Sequence, residues 1–188
     1  SGHVSSNLDY ANTSALALNN GTIRDAVGNN ATLTLASPSA SNSLGNNKAL
    51  IVDTTVPTLS SSSPADGATS VGVNANIVLT FSETVVAGSG NILISTGSSS
   101  DGGFESIPVG NAKVSISSNV VTINPAGTFA SSTAYNVQVP STAFDDAAGN
   151  SYAGITNATT LNFSSADVVA PTISSVTSTT SNGSYNAG

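Results

Sequence analysis

The stretch NIVLTFS, residues 76–82, points to the fold class because its apolar and polar residues alternate. Ile77, Leu79 and Phe81 would share one face of an extended strand. Short β-rich stretches bounded by Gly, Asn, Ser or Pro recur at NILIST (91–96), AKVSIS (112–117), VVTIN (120–124), YNVQV (135–139) and TLNF (160–163). ALALNN (15–20) is also interpreted as a strand because of its neighbours. No stretch keeps a capped helical period over three turns, so the sequence predicts an all-β sandwich.

The chain also matches itself at two offsets. Shifted by 121 positions, its start aligns without gaps on a later part: Leu8 falls on Phe129, Leu16 on Val137, Leu18 on Val139, Ile23 on Phe144, Asp25 on Asp146, Gly28 on Gly149 and Asn29 on Asn150. The stretch DTTVPTLSS at 53–61 matches DVVAPTISS at 167–175, an offset of 167 − 53 = 114. The difference of seven residues predicts a longer loop in the first copy, within SPSASNSLGNNK (37–48).

These offsets predict a tandem array that is cut out of phase. Residues 1–52 are interpreted as the C-terminal part of one module, residues 53–166 as a complete module, and residues 167–188 as the start of the next. A module of 114 to 121 residues suits an immunoglobulin-like sandwich. Because the end pieces lack counterparts of residues 75–121, we expect residues 1–52 to be poorly ordered or to borrow strand edges from a neighbour.

Three elements stand in an order that resembles the bacterial Ig-like tandem repeat domain of surface-layer proteins and giant adhesins. They are SPADGATSV (63–71), FSE (81–83) and DAAGN (146–150), and the resemblance extends over residues 53–163. The first 52 residues are similar to a related repeat of very long bacterial surface proteins. Phe129 and Tyr135 also resemble the tyrosine-corner spacing of Ig-like sandwiches, from which the first copy departs with Ser14 in place of Tyr135.

The resemblance implies a structural spacer or stalk in an S-layer, an adhesin or an extracellular filament at the bacterial cell surface. Its partners would be neighbouring modules of the same protein or identical chains. The alternative is an adhesive or carbohydrate-binding module that accompanies another domain. An exposed cluster of Tyr10, Tyr152 and Tyr185 beside a groove would favour that alternative, although aromatic residues make up only 5% of the chain and Trp is absent. The Asn-x-Ser/Thr sequences of the chain leave open whether it carries surface glycans itself.

The repeated turn in RDAVGN (24–29) and DDAAGN (145–150) has two interpretations. In the structural one, Gly28 and Gly149 adopt a positive φ while the Asp and Asn side chains cap the turn. In the functional one, the turn contributes oxygen ligands to calcium, which takes six to eight of them. The residues alone leave both open. The candidate ligands of the two turns are Asp25, Asn29, Asp145, Asp146 and Asn150.

The resemblance favours calcium, because related adhesin repeats hold calcium near module junctions through linker aspartates. Asp53 and Asp167 each stand four residues before a Pro. A site that combines Asp53, Glu83 and Asp146 would gather three carboxylates from distant parts of one module. The alternative for Glu83 is a solvated edge position. Other acidic residues are interpreted as a solvated hairpin loop (Asp101, Glu105) and as a turn (Asp66).

Composition excludes several classes of function. The 188 residues carry three Lys or Arg and ten Asp or Glu, a formal net charge of −7, which argues against nucleic acid and anionic lipid as partners. Cysteine is absent, and no apolar run is long enough to insert in a membrane. The only His is His3, and the neighbours Asp145 and Asp146 would face opposite sides of a strand, so we predict no enzyme. The 56 Ser and Thr residues and the scarcity of Lys indicate an extracellular location.

Overall fold

The protein is almost entirely β-structure. A computed structural model of the chain describes residues 4, 5, 7–177 and 183. Its helix is α1 (Leu44–Asn47), and its strands are β1 (Val4–Ser5), β2 (Val52–Asp53), β3 (Leu59–Ser63), β4 (Ala68–Val71), β5 (Ile77–Phe81), β6 (Val86–Ala87), β7 (Asn91–Thr96), β8 (Glu105–Pro108), β9 (Val114–Ser117), β10 (Val120–Ile123), β11 (Ala134–Gln138), β12 (Phe144–Asp145) and β13 (Asn162–Ser165).

Two sheets form a sandwich within residues 59–165. One has the order β3-β5-β10-β9 and is antiparallel throughout. The other has the order β4-β13-β11-β7-β8, with β4 parallel to β13 and the other pairs antiparallel. The short strands β6 and β12 pair at one end of the sandwich. This end is where the repeated acidic turn lies, because the turn follows β12 directly.

The core follows from the alternation of apolar side chains. In β5, Ile77, Leu79 and Phe81 are buried while Val78 and Thr80 are partly exposed. The side chains of β7, β10, β11 and β13 meet them from both sheets in one apolar cluster. Burial of this apolar surface is the main stabilising contribution to the fold, because the chain has few charged residues that could form ion pairs.

All six strands predicted in residues 76–163 are confirmed, with ends that shift by up to two residues. The last of them, predicted at 160–163, is the strand Asn162–Ser165. The alternation did not reveal β3, β4 and β8, whose exposed faces carry Ser, Thr or Pro. The interpretation of Glu105 as part of a solvated loop is wrong. Glu105 begins β8, forms an ion pair with Lys113 and accepts a hydrogen bond from the N–H of Ala126.

Residues 7–51 form less regular secondary structure than their sequence suggests. The predicted strand at 15–20 is wrong, because these residues have no ladder partner in the described part of the chain. Their repeat counterparts in β11 pair with both β7 and β13. The predicted longer loop at 37–48 contains α1, which Ser43 caps by accepting a hydrogen bond from the N–H of Asn46 at 3.1 Å. The boundaries of the three predicted modules stay predictions.

The tyrosine corner predicted from Phe129 and Tyr135 is confirmed. The Tyr135 ring is buried, and its hydroxyl oxygen accepts a hydrogen bond from the N–H of Ala130 at 2.8 Å. The ring also packs against Phe104, Phe129 and Phe163, with ring centroids 4.7 to 5.7 Å apart. The corner therefore fixes the loop before β11 to the centre of the core.

Replacement of Tyr135 by Phe should lower the free energy of unfolding by about 0.5–1.5 kcal/mol, the net contribution of a typical hydrogen bond. The variant keeps the ring contacts but removes the acceptor of the N–H of Ala130. Urea denaturation of the whole chain measures the loss. A variant as stable as the wild type would show that the hydroxyl of Tyr135 adds nothing to the corner.

Candidate functional site

The turn after β12 is built around the carboxylate of Asp146. One oxygen, Oδ1, accepts hydrogen bonds from the N–H groups of Ala148 and Asn150, both at 2.8 Å. The other, Oδ2, accepts one from the side-chain amide of Asn150 at 2.8 Å. Gly149 has φ +90°, a conformation that favours Gly. Asp146 as a residue is only 4% exposed, so these donors replace the water that burial removes.

The turn in the first copy has the same hydrogen bonds. Asp25 Oδ1 accepts from the N–H groups of Val27 and Asn29 at 3.0 and 2.9 Å, and Oδ2 accepts from the side-chain amide of Asn29 at 2.8 Å. Gly28 has φ +94°. The structural interpretation of the repeated turn is therefore confirmed in both copies. The copies differ in surroundings, since Asp25 is exposed and Asp146 is buried.

Asn150 attaches the linker before the module to this turn. Its side-chain amide nitrogen donates to the main-chain carbonyl of Asp53 at 3.0 Å as well as to Asp146. Asp53 is the last residue of β2, which pairs with β1 and so joins the linker to the start of the chain. A single amide thus positions the linker aspartate over the turn. Asn150 was predicted as a ligand, and the structure gives it this positioning contact.

Glu83 completes a group of three carboxylates. It follows β5 by two residues, and one carboxylate oxygen each from Asp53, Glu83 and Asp146 lie within 4.8 Å of one another. The three are separated by 30 and 63 residues in sequence, and the sandwich brings them to one end. They border a cleft of about 480 Å³ whose other lining residues are Ile51, Thr84, Ala147 and Ala148. Sequence reasoning missed these four lining residues.

The charges in this group oppose one another. Partial burial raises the pKa of Glu83, and the negative charges of Asp146 and Asp53 raise it further. For Asp146, burial acts to raise the pKa, but the hydrogen bonds from Asn150, Ala148 and Gly149 outweigh it and leave the pKa below its usual value. No hydrogen bond to the Glu83 carboxylate occurs among the residues that the structure describes. Glu83 is therefore the carboxylate whose charge is least compensated.

The donor set fits a hard divalent cation. Calcium takes oxygen ligands at about 2.3–2.6 Å, so two of its ligands on opposite sides are about 4.6–5.2 Å apart. The separations within the group fall inside that limit. Both lone pairs of Asp146 Oδ1 are occupied by hydrogen bonds, and Oδ2 keeps one free for a ligand bond. Asp146 could therefore contribute one oxygen without giving up its turn.

The other predicted ligands lie outside this group. Asp145 accepts a hydrogen bond from the hydroxyl of Ser151 at 2.5 Å. Asp167 accepts from the hydroxyl of Ser131 at 3.0 Å and from the N–H of Val169 at 2.9 Å. Asp25 and Asn29 bond to each other in the first turn. A metal role for these four residues stays a prediction.

The paired sheets, the tyrosine corner and the capped turn at one end define an immunoglobulin-like β-sandwich module. Residues 53–165 match the family model of the bacterial Ig-like domain, and the chain belongs to this family. Domains of this family typically occur in extracellular or surface proteins and are generally non-catalytic. No curated protein matches the chain. None of the helices in the described part of the chain is long and apolar enough to cross a membrane.

Proposed function

We propose that the chain is a segment of a structural spacer or stalk in a bacterial surface protein or extracellular filament, such as an S-layer protein or an adhesin. The observation that carries this proposal is the attachment of the linker to the module. The carbonyl of Asp53 is bonded to Asn150, and its carboxylate meets those of Glu83 and Asp146. A spacer needs a fixed angle between a module and the chain before it, and this attachment of the linker supports such a role. The partners are neighbouring modules or identical chains.

We further propose that Asp53, Glu83 and Asp146 bind calcium at this junction. Three carboxylates within 4.8 Å repel one another when all are ionised. Calcium removes that repulsion and ties the linker, through Asp53, to two residues of the sandwich. The spacer would then be stiff in a calcium-rich extracellular medium and less stiff without calcium. The proposed role of the site is structural, in keeping with a family whose domains are generally non-catalytic.

Burial of the aromatic residues favours the spacer over the carbohydrate-binding alternative. Sugar-binding modules stack sugars on exposed aromatic rings, and Tyr152 is only 6% exposed because it packs edge-on against Phe81 at 5.1 Å. The hydroxyl of Tyr10 is bonded to the carbonyl of Ala36 at 2.6 Å. Tyr185, the third member of the predicted cluster, lies outside the described residues. The second cleft, about 250 Å³ beside Pro140, has no aromatic residue in its lining.

Amide hydrogen exchange of the whole chain, with calcium and with chelator, tests the spacer proposal. At a calcium concentration a hundred times the dissociation constant, exchange at residues 51–56 should slow by up to roughly a hundredfold. Strand β8 contributes no residue to the cleft and serves as the internal control. Unchanged exchange in the linker would contradict a calcium-stiffened junction. Saturable binding of soluble glycans, lost in Tyr10→Ala, would instead support the carbohydrate-binding alternative.

A further inference from the structure

Strand β9 leaves backbone hydrogen-bonding groups free at the edge of the four-stranded sheet. Only β10 pairs with it. The N–H of Asn124 donates to the carbonyl of Lys113 at 2.8 Å, and bonded pairs alternate along an antiparallel ladder. Ser115 and Ser117 therefore bond to β10, while the N–H and the carbonyl of Ile116 point away from it. Among the described residues, no group bonds to Ile116 on that side.

The other three edges of the two main sheets carry features that oppose pairing with a further strand. Strand β8 begins at Glu105 and ends at Pro108. Strand β3 is followed by Pro64 and shifts register between Leu59 and Ser61, and β4 pairs with β13 across a register shift. Charge, proline and bulges are the usual protection of a sheet edge. Strand β9, with the sequence VSIS and a regular register against β10, has none of them.

Both faces of β9 suit the close approach of another strand. Val114 and Ile116 pack against the core and remain partly exposed, so a further strand would bury more of their apolar surface. Ser115 and Ser117 are exposed on the outer face of the sheet. The residues in register with them on that face carry no charge: Ser61, Ser63, Val78, Thr80, Val120 and Thr122.

We propose that β9 pairs antiparallel with β9 of a second copy of this chain, about a twofold axis at Ile116. Each Ile116 N–H donates to the carbonyl of the other Ile116, and Ser115 of one copy faces Ser117 of the other. Each copy has a formal net charge of −7, so a second copy approaches most readily through an edge without carboxylates. This inference rests on the proposed function, because it names the surface at which identical chains meet.

Sedimentation equilibrium of the whole chain in chelator, with matched double variants, tests the pairing. In Ser115→Lys with Ser117→Lys, two lysines face each other at both contacts of the twofold, and association should weaken at least about tenfold. In Ser115→Lys with Ser117→Glu, each lysine faces a glutamate of the other copy, and association should stay within about threefold of the wild type. Ser61→Lys with Ser63→Lys adds the same charge at the opposite edge of the sheet and should leave association unchanged. Urea denaturation verifies that each variant is folded.

Exchange of the Ile116 amide shows whether the pairing uses this edge. It should slow at least about threefold between roughly 10 μM and roughly 1 mM chain, while exchange at Val121, inside the sheet, should not change. The proposal is overturned if the chain stays monomeric up to about 1 mM. It is also overturned if the Lys–Glu variant dissociates as the Lys–Lys variant does, or if Ile116 is already protected in dilute solution by another segment of its own chain. Because calcium is absent from these samples, a failed calcium site would contradict the proposed function and leave the pairing intact.

Discussion

Replacement of Phe129 by Ala should lower the free energy of unfolding by about 3–5 kcal/mol, the largest effect that we expect from a single substitution. The Phe129 ring is 2% exposed and lies 5.1 Å from Phe104, 4.7 Å from Tyr135 and 5.1 Å from Phe163, centroid to centroid. Its removal leaves a cavity that these aromatic rings line and cannot readily fill. Urea denaturation, followed by a spectroscopic signal from the module, measures the loss.

Leu8→Ala is the matched control, because the repeat places Leu8 at the same position of the first copy. Leu8 is 44% exposed in this chain, so its truncation should change the stability by less than about 1 kcal/mol. Equal losses for the two variants would contradict the conclusion that, among the residues that the structure describes, the closed core lies within residues 53–165.

Calcium should raise the melting temperature of the chain, and this effect should depend on Asp146 but not on Asp25. At a hundredfold excess of calcium over its dissociation constant, binding adds about 2.7 kcal/mol to stability. For a domain of this size that corresponds to roughly 10 °C. Asp146→Ala should abolish the shift, whereas Asp25→Ala should keep it. Asp25 and Asp146 accept equivalent hydrogen bonds, each in its own turn. Asp25, however, does not belong to the group of three carboxylates.

The comparison of Asp146→Ala with Asp25→Ala distinguishes a role of Asp146 in capping its turn from a role as a calcium ligand. If calcium shifts the melting temperature equally in both, the turn of Asp146 acts only as a turn. If calcium shifts neither the wild type nor the variants, the carboxylates do not form a calcium site. A scanning calorimetry series at neutral pH, with chelator as the reference, gives both answers.

The pH dependence without calcium has opposite signs for the two acidic groups. Because the pKa of Glu83 is raised in the folded state, its ionisation disfavours folding, and stability falls as the pH rises from the ordinary value of 4.5 through the folded one. The pKa of Asp146 is lowered, so its carboxylate stabilises the fold above the ordinary value of 3.8, and that contribution is lost as the pH falls through the folded pKa. Glu83→Gln should therefore stabilise the chain at pH 7 in chelator.

The strands with clear alternation could be predicted because each carries its own pattern, as β5 and β7 do. Strand β3, with Leu followed by four Ser residues, carries almost no pattern and forms because β5 offers it an edge. The error at 15–20 has the converse cause, since a strand-like sequence has no partner within the described chain. Local pattern thus predicts a strand only where another strand is available to pair with it.

The candidate site shows the same limit. The repeat identified the acidic turn, and the resemblance suggested that Asp53 and Glu83 join it. Their meeting depends on the bond from Asn150 to the linker and on the end of β5, two long-range features that no local spacing contains. The ion pair of Glu105 and Lys113 was missed because Glu105 was interpreted as part of a solvated hairpin loop, whereas it begins β8.

Calorimetric titration of calcium into the whole chain, wild type and Glu83→Gln, tests the central claim most directly. Glu83 belongs to the carboxylate group but makes no hydrogen bond in the turn, so its substitution removes a ligand charge and leaves the backbone of the site alone. We predict saturable binding of one calcium per wild-type chain at neutral pH and a large loss of affinity in Glu83→Gln. Absence of saturable binding to the wild type, or equal binding to the variant, would contradict a calcium site at this junction.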